Sequence, residues 1–214
     1  MNIFLSYSTN DKKLAHTLKE GLEFYGVEAF LAHDDIKPTE EWQDRILEEL
    51  NSSQVFIPLL TKDFLQSLWT DQETGIAIAK EQLIIPLKVT KDPHGFVSRY
   101  QALKLKADAK KTCSEIVHLI ADKPSLGHDM RNLIIELFGE SWSYANAAKN
   151  AEILDSFSGY TPAQLKKIMR YIVENSQIRE SFDAKDILRP FLRTYQKSIP
   201  TELYEATSDK IRKN

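Results

Sequence analysis

The chain carries the stretch Val55-Phe56-Ile57-Pro58-Leu59-Leu60, in which no side chain is polar. A strand covered by helices on both faces has such a continuous apolar run, whereas a half-exposed strand alternates apolar and polar residues. Residues 3–6, 27–31 and 83–89 are also mainly apolar and do not alternate, although each contains one polar residue: Ser6, Glu28 and Lys88. The four runs together predict the buried strands of a parallel sheet.

Helical patterns separate these apolar runs. Residues 10–25 and 40–50 each place large apolar side chains along one stripe of a helix. A weaker apolar run at 102–105, followed by a helical pattern at 109–121, would add a fifth strand and its helix. The alternation predicts an α/β domain with a flavodoxin-like, doubly wound parallel sheet of five strands in the order 2-1-3-4-5.

The pattern changes at Lys123-Pro124-Ser125, after which no further strand is predicted. We therefore predict two domains, 1–123 and 124–214, the second a small all-α domain. Its helices are predicted at about 128–138, 144–156, 162–175, 184–196 and 201–212.

Two positions of the helical domain carry specific local predictions. Thr161, Pro162 and Gln164 form the pattern of a helix start, with a capping residue, a proline in the first turn and a capping box. Pro190 is expected to kink or divide the helix that follows Asp183, because proline cannot donate the helical hydrogen bond.

Charge and composition argue against several partners. The formal net charge is −3 and the pI about 6, so nothing attracts the whole chain to nucleic acid or to an anionic membrane. We find no basic signal-peptide start and no run of about 20 apolar residues. The sequence favours a cytoplasmic protein without nucleic-acid or membrane binding.

Cysteine and histidine usage points to no metal or redox chemistry. The one cysteine, Cys113, cannot form an internal disulfide, and its helical pattern predicts a small buried residue. The five histidines show no ligand spacing, so we predict no metal site.

The candidate site follows from the predicted sheet. Ligands of open α/β sheets bind beyond the carboxyl ends of the strands, where the strand order reverses, here between the first and third strands. The first strand ends at Ser6-Tyr7-Ser8, and the helical segment after the third carries Trp69 and Glu73. Their four-residue spacing puts both on one helix face. Spacing alone favours the simpler interpretation, a core tryptophan and a solvated glutamate, and does not decide between the two.

The segment after the second strand, residues 32–39, is polar and leads into Trp42. It reaches the same edge of the sheet and could close over a ligand there. An ordinary connection, in which an aspartate or threonine caps the next helix, fits its sequence as well.

Taken in order, these segments resemble the successive motifs of TIR (Toll/interleukin-receptor) domains, and they are most similar to those of bacterial TIR proteins. The resemblance covers residues 1 to about 121. Two positions depart from the common pattern: Thr39 follows Pro38 where glycine is frequent, and Thr70 stands where cysteine is frequent. The segments that carry the resemblance are Ile3 to Ser8 with Asp11, Gly26 to Phe30, Asp34 to Pro38, Trp42 to Ser52, Val55 to Leu60 and Ser67 to Glu73.

The resemblance implies an activity. Enzymatic TIR domains break the bond between nicotinamide and ribose of NAD, and their essential glutamate matches Glu73. A carboxylate can stabilise the oxocarbenium-like transition state of such a reaction. The resemblance also assigns substrate-binding roles, with NAD as the substrate and no cofactor. The residues implied are Ser6, Tyr7 and Ser8 on the ribose and nicotinamide side, Asp34 and Trp42 on the adenine or lid side, and Trp69 as a pocket wall.

The expected function is therefore that of an NAD glycohydrolase or ADP-ribose cyclase in bacterial anti-phage defence or signalling. The resemblance further implies self-association through the TIR domain, and the helical domain could receive a partner or effector protein. A non-enzymatic TIR adaptor is the first alternative, which failure to consume NAD would favour. A nucleoside deoxyribosyltransferase-like enzyme is the second, which nucleobase exchange would reveal.

Overall fold

The computed structural model describes residues 1–31 and 42–212. By internal contacts the chain forms two compact units, Met1–Leu119 and Ile120–Asn214, called here the N-terminal unit and the helical unit. The division falls a few residues before the predicted boundary after residue 123. Whether a fragment ending there folds by itself stays a prediction.

The N-terminal unit is built on a parallel sheet whose strand order is β2-β1-β3-β5-β6, with β4 beside β3. Every strand pair is parallel, so the predicted doubly wound sheet is confirmed. The strands are β1 (Asn2–Ser6), β2 (Glu28–Leu31), β3 (Val55–Leu60), β4 (Leu83–Ile84), β5 (Leu87–Lys88) and β6 (Leu103–Lys104).

The run predicted as one strand at 83–89 forms two short strands. Ile85 and Pro86 separate β4 from β5, because proline has no backbone N–H with which to continue a ladder. The Pro86 carbonyl still accepts a hydrogen bond from the Leu103 backbone N–H, at 2.8 Å. The interruption therefore leaves the path of the sheet intact.

Four helices accompany this sheet: α1 (Lys12–Glu23), α2 (Trp42–Ser52), α3 (Leu68–Ala79) and α4 (Ala109–Ala121). A 3-10 turn over Thr9–Asp11 precedes α1, where the sequence pattern predicted continuous helix. The core under the sheet contains stacked and tilted rings of Phe4, Phe30 and Phe56, whose centroids lie 5.5 and 5.8 Å apart. These rings hold α2 against the strands through its buried apolar face.

Cys113 is buried, as predicted, and its position explains a glycine inside α1. A Cβ atom on Gly21 would lie 2.6 Å from the Cys113 sulfur, too close for any real contact. Gly21 is therefore the residue that lets α1 approach α4 closely, although glycine weakens a helix interior by about 1 kcal/mol.

The described residues of the helical unit form six α-helices and a short 3-10 turn over Gln196–Ser198. The capping box predicted at Thr161 and Gln164 is confirmed, with Pro162 in the first turn of its helix. The helices are α5 (Gly127–Gly139), α6 (Tyr144–Asp155), α7 (Pro162–Glu174), α8 (Ser176–Glu180), α9 (Phe182–Tyr195) and α10 (Thr201–Arg212).

Two features of the helical unit differ from the sequence-based expectation. Helix α9 runs through Pro190 from Phe182 to Tyr195, so the proline does not divide the helix, and a kink at this residue stays a prediction. Proline removes one helical hydrogen bond, and the buried face that includes Leu188 and Leu192 offsets that loss. The short α8 was not predicted; the Asn175 side chain caps it by accepting a hydrogen bond from the Gln177 backbone N–H at 2.8 Å.

Candidate active site

The site lies where the strand order of the sheet reverses. β1 has β2 on one side and β3 on the other, and Ser6, the last residue of β1, is in register with Pro58 of β3. Connections from the carboxyl ends of β1 and β3 lead to α1 and α3, and a cleft at such a reversal is the usual ligand position in open α/β sheets. The side chain of Ser6 is fully buried at this point.

Helix α3 brings Glu73 to this edge of the sheet. It packs against β1 and β3, and its first turn is anchored by the buried hydroxyl of Thr70. That hydroxyl donates to the carbonyls of Phe64 and Ser67, at 2.7 and 2.8 Å. Glu73 follows less than one turn later, so its side chain is directed toward the end of β1.

Ser6 and Glu73 meet at the end of β1. The Ser6 hydroxyl donates a hydrogen bond to Oε2 of Glu73. The Glu73 residue is only 1% exposed, and its second oxygen, Oε1, is buried with no hydrogen-bond partner among the described residues. A buried carboxyl oxygen without a partner is costly and is typical of a functional position.

Burial raises the pKa of the Glu73 carboxyl from 4.5 to about 7, and the hydrogen bond from Ser6 opposes this rise. Desolvation is the larger effect because a buried carboxylate loses its hydration. The group therefore changes charge near neutral pH. A cationic ligand beside it would favour the ionised form.

A second hydrogen-bonded pair ties together the loops beside this site. Thr61 donates to Oδ2 of Asp11 at 2.6 Å and accepts from the Phe64 backbone N–H at 3.0 Å. The side-chain amide of Asn10 donates a hydrogen bond to Oδ2 of Asp63, at 3.1 Å. The loop after β1, which carries Ser8, is thereby held to the loop that leads into α3. Sequence reasoning did not single out Thr61; its position directly after the buried β3 run was the available signal.

A profile of the TIR domain family matches residues 3–119, more than half of the chain. The chain belongs to the TIR domain family. Among solved structures it is similar to the TIR domain of the Toll-related receptor TRR-2 from Hydra magnipapillata, at 20% identity and a TM-score of 0.45. That match covers 61% of this chain and 98% of the Hydra domain. No curated protein matches the sequence significantly.

In the N-terminal unit, called the TIR unit from here on, only some of the predicted site residues lie together. Ser6 and Glu73 are joined directly, and Ser8 is almost buried beside them in sequence. Tyr7 is completely enclosed, and Trp69 is partly exposed on α3. Their predicted substrate contacts remain predictions.

Two further predicted site residues, Asp34 and the side chain of Trp42, lie outside the described residues, as does the predicted lid at 32–39.

Within the parts of the chain that the structure describes, no group of three or more histidine, cysteine, aspartate or glutamate side chains could hold a metal ion. Over the same residues, no helix is long and apolar enough to cross a membrane.

Proposed function

We propose that the TIR domain cleaves the bond between nicotinamide and ribose of NAD, and that Glu73 is its catalytic carboxylate. The observation that carries this proposal is the burial of Glu73 at the reversal point of the sheet, where it has one hydroxyl partner and a pKa of about 7. A structural glutamate would usually be solvated or fully paired.

Cleavage of the bond between nicotinamide and ribose requires one negative charge near the ribose. As the bond between the ribose carbon and nicotinamide breaks, its electron pair leaves on the ring nitrogen and positive charge develops on the ribose. The ionised Glu73 side chain would stabilise that charge in a site from which water is excluded. Nicotinamide departs as a neutral molecule, so no acid is needed to protonate it.

The positively charged nicotinamide ring would also prepare the carboxylate. An opposite charge within about 4–6 Å favours the ionised form of a carboxyl and so lowers its pKa. Ser6 would then orient the carboxylate through the hydrogen bond to Oε2. When water attacks the ribose carbon, the proton it releases could pass to Glu73; attack by the adenine ring would instead give a cyclic product.

Substrate access requires a change of conformation, because Glu73 is almost fully covered. Opening could be coupled to assembly, since membership of the TIR family implies self-association. We infer that turnover rises when copies of the chain associate. The resemblance to bacterial TIR proteins leads us to propose that this activity serves anti-phage defence or signalling in the bacterial cytoplasm.

A second candidate function, a non-enzymatic TIR adaptor, is favoured by one observation. Leu68 and Phe96, both in the TIR unit, are 78% and 73% exposed. Exposed large apolar side chains are common at protein interfaces. An adaptor would use these side chains to bind other TIR domains and would not consume NAD.

Product analysis decides between the two. The full chain would be incubated with NAD at high protein concentration, and the products separated by chromatography and identified by mass spectrometry. Release of nicotinamide with linear or cyclic ADP-ribose supports the proposal. Intact NAD after prolonged incubation of an associated, folded sample would favour the adaptor.

A further inference from the structure

Two helices of the TIR unit begin without the side-chain cap that their sequence offers. Among the described residues, the side chain of Asp11, the N-cap of α1, makes no cap hydrogen bond with that helix. Ser67, the N-cap of α3, makes none with the described residues of its own helix. Aspartate and serine are among the residues that cap helices best. The carboxylate of Asp11 instead accepts a hydrogen bond from the Thr61 hydroxyl at 2.6 Å, between the connections after β1 and β3.

The bond between Thr61 and Asp11 is part of a closed path that begins and ends at the candidate active site. Its first half follows the chain from Ser6 to Asp11. The Asp11 backbone N–H donates to the Ser8 carbonyl at 2.7 Å, which folds this connection back on itself. The position of Ser6 is thereby related to that of Thr61 through a short, hydrogen-bonded segment.

The second half of the path runs from Thr61 to Glu73. The Phe64 backbone N–H donates to the Thr61 hydroxyl at 3.0 Å, and the Phe64 carbonyl accepts from the Thr70 hydroxyl at 2.7 Å. Glu73 lies three residues after Thr70 in α3, so the two share one face of the helix. The carboxylate of Glu73 accepts from Ser6, which closes the path. This closed path is called here the hydrogen-bonded ring.

Most of the hydrogen-bonded ring is shielded from water. Ser6 and Thr70 are fully buried, and Glu73 and Thr61 are only 1% and 6% exposed. Hydrogen bonds are stronger where the local dielectric is low, and a buried polar group that loses its partner is costly. The ring therefore favours one arrangement of the start of α3 relative to the end of β1.

We propose that Thr61 is a positioning residue, which closes the hydrogen-bonded ring and so fixes how closely α3 holds Glu73 to Ser6. Thr61 acts through Phe64 and Thr70 rather than on the carboxylate itself. A shift of α3 away from β1 would first weaken the bond from Ser6 to Glu73, because hydrogen bonds depend steeply on distance and angle. The consequence for turnover rests on the proposed function, since a misplacement of about 1 Å can cost a catalytic group on the order of 100-fold in rate.

The test measures the pKa of the Glu73 carboxyl in the full chain by carbon-13 NMR, without NAD. The signal of Glu73 is the one that Glu73→Gln lacks. Thr61→Val keeps the shape of the side chain and removes its hydroxyl. Because the bond from Ser6 favours the ionised form, its weakening should raise the pKa of Glu73 by about 0.5 or more. Thr61→Ser keeps the hydroxyl and should retain the wild-type pKa.

A buried threonine outside the ring supplies the matched control. Thr112 of α4 is fully buried, and its hydroxyl accepts a hydrogen bond from the Lys106 backbone N–H at 3.0 Å. Thr112→Val removes the same kind of group from the same unit. It should lower the stability of the chain and leave the pKa of Glu73 unchanged. An equal rise in both valine variants would mean a general loosening of the unit and would overturn the proposal.

A double-mutant cycle shows whether Thr61 acts through the bond from Ser6. In a Ser6→Ala background that bond is already absent, so Thr61→Val should raise the pKa of Glu73 no further. An undiminished rise in this background, or no rise in a folded Thr61→Val chain, overturns the proposal. Should Thr61→Val not fold, Asp11→Ala breaks the same bond at a partly exposed side chain and is judged by the same outcomes.

Turnover separates this inference from the proposed function. In a chain that cleaves NAD, Thr61→Val should lower kcat by about fivefold with KM little changed, and should have no further effect in the Ser6→Ala background. The expected pKa pattern in a chain that leaves NAD intact would reject the proposed function and retain Thr61 as the positioning residue. NAD cleavage with an unchanged pKa of Glu73 would reject the role of Thr61 alone.

Discussion

Two glutamates, one in each unit, occupy opposite environments. Glu73 of the TIR unit is buried with one hydroxyl partner, and its pKa is raised to about 7 by desolvation. Glu136 of the helical unit is 42% exposed and paired with Lys167 and Tyr171, whose hydrogen bonds lower its pKa. The protein thus stabilises the charge of one carboxylate and opposes the charge of the other.

The comparison separates a structural acid from a candidate catalytic one. Glu136 of α5 accepts hydrogen bonds from the Lys167 ammonium and the Tyr171 hydroxyl of α7, so its negative charge is paired and hydrogen-bonded. The pKa of Glu73 is set by burial and by the hydrogen bond from Ser6, with no contribution from a cation among the described residues. The negative charge of Glu73 therefore destabilises the fold once the carboxyl ionises. Such a position persists where function requires it.

The largest expected effect is on NAD cleavage. Glu73→Gln should reduce turnover by on the order of 100-fold or more, because the amide cannot stabilise a positive transition state. Glu136→Gln, the same chemical change in the helical unit, should leave turnover within about twofold of wild type. Both variants would be compared by nicotinamide release. A folded Glu73→Gln protein with unchanged turnover would remove the basis of the proposed function.

The next effect concerns stability and pH. The folded pKa of Glu73 lies above its unfolded value of 4.5, so its contribution is fully present below pH 4.5 and is lost as pH rises through about 7. Glu73→Gln should therefore be more stable than wild type at pH 8, by on the order of 3 kcal/mol, and nearly equal to it at pH 4. Urea unfolding at both pH values measures this. An equal difference at both would contradict the raised pKa.

A smaller effect is expected at Ser6, which positions the carboxylate. Ser6→Ala removes the hydrogen bond that favours the ionised form of Glu73, so the pKa of Glu73 should rise further. Activity at pH 7 should fall by on the order of tenfold, with the acidic limb of the pH profile moved to higher pH. Ser98→Ala, at an exposed serine of the same unit, is the control. A loss of activity without a shifted profile would make the role of Ser6 purely structural.

The smallest effect is expected at Glu136 and has the opposite sign. Its folded pKa is lowered, so its stabilisation is present above pH 4.5 and is lost as pH falls through the folded pKa. Glu136→Gln should be less stable than wild type at pH 7 by about 1 kcal/mol or less, since the pair is well exposed. The difference in thermal unfolding should shrink at pH 3. If it grew there instead, the pairing with Lys167 and Tyr171 would not be stabilising.

The sequence by itself determined the parallel sheet, the start of most helices and the position of Glu73 at the sheet's carboxyl edge. Continuous apolar runs and the capping box at Thr161 are local signals, because each pattern lies within a few consecutive residues. The break at Pro86 was not predicted, although proline lacks the donor that a ladder needs. The continuity of α9 through Pro190 was not predicted either, because burial of its apolar face offsets the lost bond.

Only the tertiary structure decided the electrostatics of the two units. Ser6 and Glu73 are 67 residues apart, and Thr61 and Asp11 are 50 apart, so no local pattern could show that each pair is hydrogen-bonded. The burial of Glu73 likewise arises from packing between distant segments. A pKa depends on the charges and water that surround a group, and only the folded chain determines both.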